Sequence, residues 1–236
     1  MKLLDKYFAK IDFTSKNLDG GFFWMNSEIK NKPLKDIKKI DFNSLYANIT
    51  TGLVNRGIHL SERDSVKISL DGFKDLFESF ESDKHTLKVN NPSRYGELKA
   101  SINSFIGSLF FLSRTEMSLN YSSFITQYLK YFYQDLLENN KNILYIDTDS
   151  IFYSGEIDLL DFNVDYTQEK FEYILFVEER RYVTYTKGIY KTFGSWSKKK
   201  YESFEVQLRR SSSVEKEAID LLKRYIRENK IEVLGI

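Results

Sequence analysis

The sequence predicts an α+β fold: an antiparallel sheet with helices segregated to one side and helical appendages. Three observations carry that expectation. Short apolar segments at 36–42, 142–146 and 151–153 have the length and alternation of strands. Stretches at 71–81, 93–112 and 118–139 place apolar residues at helical spacing. The acidic turn Asp147-Thr148-Asp149 joins two strand-like segments directly, and so tight a connection makes an antiparallel β-hairpin.

The elements follow in order. DIKKIDF (36–42) ends in an apolar alternation and reads as a strand running into Asp41. Residues 44–54 read as a short helix ending near Gly57. Phe73, Leu76, Phe77 and Phe80 mark the helix at 71–81. Pro92, after Asn90-Asn91, suits a helix start, and Leu98, Ile102, Phe105, Ile106 and Leu109 share one side of the helix that follows. The region 180–208 reads as further short strands with turns near Lys187-Gly188 and Gly194-Ser195. A helix over about 213–229 follows. There is no internal repeat or low-complexity linker.

Composition narrows the chemistry. The 236 residues suffice for one large domain or two small ones sharing a core. A hydrophobic fraction of 42% and an aromatic fraction of 16% argue for a packed interior and against disorder. With no cysteine, disulfides, thiolate zinc sites and cysteine nucleophiles are excluded. With two histidines, His59 and His85, a histidine-rich metal site is not expected. Carboxylates are then the expected metal ligands, which favours magnesium or manganese. No apolar run reaches the roughly 18 residues of a membrane span, and the first ten residues lack a signal-peptide core. A cytoplasmic protein without a membrane partner is expected. The net charge of +1 does not announce a nucleic-acid binder. The distribution is sharper: Glu156–Glu179 has eight acidic residues to one basic, and Arg180–Arg210 has nine basic to two acidic. Such a strip is either a phosphate grip or a solvated lysine-rich surface.

Three segments carry chemistry: DFNSLY (41–46), KASINSFIG (99–107) and YIDTDS (145–150). Phosphoryl transfer to a 3′-hydroxyl uses two cations about 4 Å apart, bridged by carboxylates. Asp41 ends one strand, Asp149 lies at a hairpin tip, and Asp147 precedes it by two residues, on the same face if the strand stays regular. The alternative for the last two is an acidic turn satisfied by its own Asx bonds. After Asp41 the chain turns into a helix, so the amides of Asn43, Ser44 and Leu45 are placed to meet a phosphate. Tyr46 follows on the first turn, where its ring would pack against a sugar and exclude a 2′-hydroxyl; an ordinary core tyrosine is the alternative. Lys99 and Asn103 are i, i+4 on one helix face, where a lysine can neutralise a triphosphate or be merely solvated. Gly107 allows another backbone or a base pair to approach closely. Lys88 and Arg94 would add phosphate contacts.

These segments resemble the family B DNA polymerases. DFNSLYANIT is similar to the family's first polymerase motif (D-x-x-S-L-Y-P), KASINSFIG to the second (K-x-x-x-N-S-x-Y-G), and YIDTDS to the third (Y-x-D-T-D-S). Arg180-Arg181-Tyr182 resembles the K-K-x-Y segment that contacts primer and template, and Phe204-Glu205-Val206 with Arg209-Arg210 resembles the start of a thumb. Leu18-Asp19-Gly20-Gly21-Phe22 is similar to the Y-x-G-G-F junction of protein-primed viral and plasmid polymerases.

The resemblance spans about 18–225 and implies an N-terminal segment at 1–35, a palm at 36–65 and 113–180, reduced fingers at 66–112, and a palm edge with partial thumb at 181–236. It implies Asp41, Asp149 and Phe42 at two magnesium ions (manganese as substitute), with Asp147 a supporting carboxylate. Ser44, Leu45, Tyr46, Lys88, Lys99 and Asn103 would bind the dNTP, Tyr46 as the sugar gate. Tyr145, Thr148, Gly107, Arg180, Arg181, Tyr182, Gly20 and Gly21 would contact primer-template DNA.

Departures from the pattern are Ala47 for proline, Ile106 for tyrosine, Leu18 for tyrosine, and two arginines for lysines; Lys198-Lys199-Lys200-Tyr201 is a second K-K-x-Y-like segment. Asp41 to Lys99 is 58 residues and Lys99 to Asp147 is 48, both short for the family. No exonuclease domain is expected before residue 18, so a separate exonuclease or accessory subunit is an expected partner. The implied activity is template-directed DNA synthesis in the cytoplasm, a host cell's if the source is viral. The alternatives are a non-catalytic polymerase-derived module that binds DNA or a partner, and a template-independent or protein-primed nucleotidyltransferase.

Overall fold

Among the described residues seven strands form one sheet in which every neighbouring pair is antiparallel. They are β1 (Phe23–Met25), β2 (Pro33–Phe42), β3 (Ile143–Asp147), β4 (Ser150–Tyr153), β5 (Tyr166–Glu178), β6 (Arg181–Thr186) and β7 (Ile189–Phe193), in the order β1-β3-β4-β2-β5-β6-β7. Five α-helices and one short 3-10 helix (Ser27–Ile29) accompany them among the described residues; the α-helices are α1 (Leu45–Val54), α2 (Asp64–Asn90), α3 (Pro92–Phe111), α4 (Glu116–Asn139) and α5 (Ser213–Val233). This computed structural model describes residues 7, 10, 11, 22–57, 64–111, 116–159, 164–193 and 213–233. The Gly20-Gly21 junction, the turn at Gly194-Ser195, the second K-K-x-Y-like segment and the thumb-like 204–210 lie outside them.

Turn chemistry sets the sheet. β3 and β4 are joined by the two residues Thr148-Asp149, with Thr148 at φ 59°. Lys187-Gly188 connects β6 to β7 at φ 50° and 82°, positive at both central residues as in a type I′ hairpin turn. Glu179-Arg180 connects β5 to β6, with Arg180 at φ 57°. Pro33 occupies the first position of β2, where a missing N–H costs the ladder least.

The chain divides into two compact units. The first holds the described residues of Met1–Phe22, Asn43–Leu136 and Leu159–Asp165. Its α2 and α3 are separated at Asn91, whose side chain accepts from the Arg94 N–H at 3.1 Å and caps α3, with Pro92 at the first helical position. Phe73, Phe77 and Phe80 repeat at helical spacing on α2 and pack with Ala47 and Ile102; Tyr95, Leu98, Phe105 and Ile106 surround them. The Phe73 and Phe105 rings stack at 4.3 Å. On α4 the buried face includes Phe124, Tyr128 and Phe132. The Tyr7 hydroxyl donates to Asp135 Oδ2 of α4 at 2.8 Å.

The second unit holds the sheet and α5. An aromatic cluster of Tyr145, Phe152, Phe171, Phe176 and Tyr182, with Ile37 and Ile174, forms one of its cores. A second core joins Tyr173, Leu175, Val183 and Tyr185 to Ala218, Ile219, Leu222 and Ile226 of α5. That α5 pattern is the apolar stripe of an amphipathic helix laid on a sheet.

The sequence-based elements sit close to these bounds, with three corrections. The helix expected at 71–81 is part of a 27-residue helix, Asp64–Asn90, which runs beyond the Phe73–Phe80 stripe at both ends. The 13-residue β5 was not anticipated: its N-terminal half is exposed and polar, so only Phe171 to Val177 carries an apolar signal. Asp149 lies in the turn rather than on β3, so the i, i+2 argument that would align it with Asp147 does not apply. Among the described residues no helix is long and apolar enough to cross a membrane.

Candidate active site

Backbone register brings Asp41 to the acidic hairpin. Asp41 of β2 is paired with Ser150 of β4, and Ser150 is paired with Asp147 of β3. One residue farther along, the Phe42 N–H donates to the Asp149 carbonyl at 2.9 Å. The end of β2 and the hairpin tip therefore lie side by side, held by main-chain bonds rather than by side-chain contacts alone. Two acids 108 positions apart in the chain become neighbours through this ladder.

The side chains around Asp41 were not all anticipated. Lys39, two residues back on the same strand face, donates to Asp41 Oδ2 at 2.5 Å. Ser150 Oγ donates to Asp41 Oδ1. Lys39 is buried at 8% exposure, with its ammonium 5.6 Å from the Phe152 ring centroid. A lysine alternating with Ile37 and Asp41 in β2 was the available sequence signal for this partner.

Asp147 faces a different cation. Arg180 Nε lies 3.4 Å from its Oδ1, and Thr148 Oγ1 donates to the same oxygen at 3.2 Å. The Arg180 N–H donates to the Tyr145 hydroxyl at 2.7 Å, which ties the β5–β6 turn to β3. Arg181 pairs with Glu178. The two described arginines of the basic strip are thus partly neutralised by carboxylates.

Asp149 is an exposed residue at the tip, yet its carboxyl is held above the usual carboxylate range. Desolvation by the surrounding turn raises it, repulsion from Asp41 raises it further, and Asp147 adds to this; its own N–H and Lys39 act in the opposite sense. Water at the exposed tip screens these effects. Burial raises the Tyr145 phenol, and Asp147 adds to that; burial likewise raises Tyr182, helped by Tyr145, Asp41 and Asp147. Both stay protonated through ordinary pH.

Tyr145 and Tyr182, expected to contact DNA, are inside the aromatic cluster at 0% and 6% exposure. Tyr145 lies two residues before Asp147 on β3, and Tyr182 is near enough to Asp41 and Asp147 to feel their charge. Thr148 is half-buried in the turn, and Phe42 is buried at the end of β2.

In the other unit, Ser44 takes a left-handed conformation (φ 52°) and leads into α1. The expected row of free amides is shortened, because the Asn43 N–H donates to the Asp165 carbonyl at 2.8 Å. Leu45 is buried and Tyr46 is half-buried on the first turn. Asn48 Nδ2 donates to the Asn43 and Ser44 carbonyls and braces the turn. Lys99 and Asn103 are exposed on α3, and Lys88 is exposed in the last turn of α2. A Cβ built on Gly107 meets nothing within 4 Å, so packing within the chain does not require glycine there. Ala47 and Ile106, which depart from the motif pattern, are both members of the α1–α2–α3 core.

Among the described residues no three His, Cys, Asp or Glu side chains already converge as a metal-binding group. The donor chemistry of Asp41 and Asp149 nonetheless fits a hard divalent cation: oxygen ligands on neighbouring backbone, with charge repulsion that a cation would relieve. At Asp41 Oδ2 such a cation would meet the Lys39 ammonium as a competing positive charge.

No family model matches the chain, and no curated protein matches it either. Solved structures do. The family B DNA polymerase of the hyperthermophilic archaeon Pyrobaculum calidifontis superposes with TM-score 0.52 at 18% identity, over 99% of this chain and 37% of that one. Phi29 DNA polymerase complexed with primer-template DNA superposes with TM-score 0.54 at 13% identity, over 88% and 60%. An orthorhombic crystal form of the same enzyme gives TM-score 0.51 at 13% identity, over 82% and 55%. The chain thus spans between about a third and three fifths of the polymerases it matches, and what it has in common with them is the fold.

Proposed function

We propose that this chain carries the nucleotidyl-transfer centre of a DNA polymerase, adding deoxynucleotides to a primer 3′-end on a template, alone or as the polymerase subunit of a split enzyme. The observation that carries the reading is the Phe42–Asp149 backbone bond, which sets Asp41 beside the hairpin tip within a fold shared with DNA polymerases. In this reading residues 36–65 and 113–180 are the palm, 66–112 the fingers, and 181–236 the palm edge and thumb.

Asp41 and Asp149, with the Phe42 carbonyl, would hold two magnesium ions, or manganese in their place. When bound, such ions neutralise triphosphate charge and make the 3′-hydroxyl a better nucleophile. Asp147, anchored by Arg180, supports the carboxylate pair. Ser150 keeps the Asp41 carboxylate oriented. By motif resemblance, Lys99, Asn103 and Lys88 would bind the triphosphate, Ser44 and Leu45 would meet it through backbone, and Tyr46 would exclude ribose. The buried Tyr145 would act by holding Arg180 and the buried Tyr182 through its packing in the aromatic cluster, and Arg180, Arg181, Thr148, Gly107 and Gly20-Gly21 would lie along the DNA.

The deciding experiment is primer extension with magnesium and four dNTPs, with and without candidate exonuclease or accessory subunits. Templated products that disappear in Asp149→Asn support the reading. Random tails favour a template-independent enzyme, a nucleotide joined to a protein hydroxyl favours protein priming, and no product under any condition defeats the enzyme reading.

One observation favours a second reading. Asp41 is already engaged by Lys39 and Ser150, and Asp147 by Arg180, as in a site whose acids have acquired internal partners. A non-catalytic, polymerase-derived module that binds DNA or a partner would show this. DNA binding indifferent to metal, dNTP and Asp149→Ala would support it.

A further inference from the structure

A lysine two residues before a metal-binding aspartate is an unfavourable neighbour for a divalent cation, yet here it is buried and bonded to that aspartate. Lys39 is far less exposed than an ordinary surface lysine: it retains 8% exposure, and its ammonium lies over the Phe152 ring, 5.6 Å from the centroid. Its Nζ contacts Asp41 Oδ2 at 2.5 Å while Ser150 holds Oδ1, so both oxygens of the carboxylate are occupied by donors of the same sheet. Each oxygen keeps a further lone pair and the Asp41 side chain is 36% exposed, but a cation at Oδ2 meets the positive charge of that ammonium at close range.

A second acid is in place to receive it. Glu169 of β5 is the direct cross-strand partner of Lys39 and so projects from the same face of the sheet. Glu169 is exposed, whereas Lys39 is buried, so the exchange would move the ammonium outward, from Asp41 towards the solvent side.

We propose that Lys39 is a positioning residue acting as a built-in counter-ion: it holds Asp41 in place without metal, competes with the divalent cation for Oδ2, and swings to Glu169 when the cation binds. The proposal rests on the metal-binding reading of Asp41 and Asp149 given above. It makes cation affinity adjustable through a residue that touches neither substrate nor metal.

The test is calorimetric titration of the purified chain with Mn²⁺, alongside melting temperature in chelator and in Mn²⁺. Lys39→Met keeps an unbranched side chain of similar length and removes the charge. It should bind Mn²⁺ about tenfold more tightly than wild type, because one competing positive charge is gone, and its melting temperature should fall in chelator and recover with Mn²⁺. Lys39→Arg keeps the charge and should stay within about threefold of wild type; Lys39→Gln serves if Lys39→Met does not fold. Glu169→Gln should weaken binding in the wild-type background and have little effect in Lys39→Met, since the acceptor matters only when there is an ammonium to receive. Equal effects of Glu169→Gln in both backgrounds would reduce Glu169 to a distant charge and overturn the swing. Unchanged or weaker Mn²⁺ affinity in folded Lys39→Met and Lys39→Gln overturns the counter-ion role. Failure of the wild-type chain to bind Mn²⁺ overturns the metal-site reading itself, a separate outcome from the other two.

Discussion

Replacing Tyr145 by phenylalanine removes one oxygen from the centre of the sheet. The ring would stay: it stacks on Phe176 at 4.6 Å and meets Phe23, Phe152 and Tyr182 edge-on at 5.4, 5.4 and 6.0 Å. What disappears is the acceptor for the Arg180 N–H, at 2.7 Å. A hydrogen bond of this kind contributes roughly 0.5–1.5 kcal/mol, and an abandoned buried donor costs about 1–3 kcal/mol. Arg180 is an exposed turn residue, so water can reach part of the freed amide and the lower end applies, about 1 kcal/mol. In a chain of this size that is a fall of about 2–4 °C in melting temperature. The sharper assay is hydrogen exchange at the Arg180 amide, whose protection should drop about fivefold while the β6–β7 amides hold theirs. The left-handed Arg180 turn should loosen with it, releasing the guanidinium from Asp147. Unchanged Arg180 protection together with unchanged stability would refute the claim that this phenol fixes the turn.

Three further outcomes follow from the same geometry. Asp149→Asn should raise stability in chelator at neutral pH while abolishing primer extension. The Asp149 carboxyl is held above its unfolded range, so the folded state binds more protons and wild-type stability declines as pH rises from the ordinary carboxylate value through the raised one; urea titrations across pH 4–7 should show that decline flattened in the variant. Phe152→Ala should cost about 3–5 kcal/mol by chemical denaturation, because Phe152 is fully buried and touches four other rings of its cluster. Burial holds the phenols of Tyr7, Tyr128, Tyr145 and Tyr182 well above their usual range and that of Tyr190 at about 12, so stability should fall as pH climbs past about 10, where the unfolded chain alone releases these protons. Ultraviolet titration at 295 nm should show these tyrosines ionising only on unfolding.

The α+β class, the helix starting at Pro92, the acidic hairpin and the Lys187-Gly188 turn were legible in the residues themselves. Each depends on local chemistry: proline's missing donor, asparagine's capping side chain, apolar spacing along one element, and turn residues that tolerate positive φ. The candidate acids were legible for a related reason, since short motifs keep their residues in fixed sequence order. β5 was not, because half of it is an exposed polar strand whose only reason to extend is its pairing with β2. The placement of Asp149 in the turn likewise depended on where the β3–β4 ladder ends.

Sequence alone determined which residue types were available: Asp41, Asp147 and Asp149 in the motifs, no thiols and almost no imidazole, so that carboxylates were the expected ligands of any metal. Only the tertiary structure decided what those aspartates face. Lys39 reaches Asp41 within one strand, but Ser150 on Asp41 and Arg180 on Asp147 are set by how the strands pair and turn, which joins residues far apart in the chain and is encoded in no single segment. The physical reason is that a carboxylate's properties come from the charges and solvent around it, and those are fixed when the sheet closes.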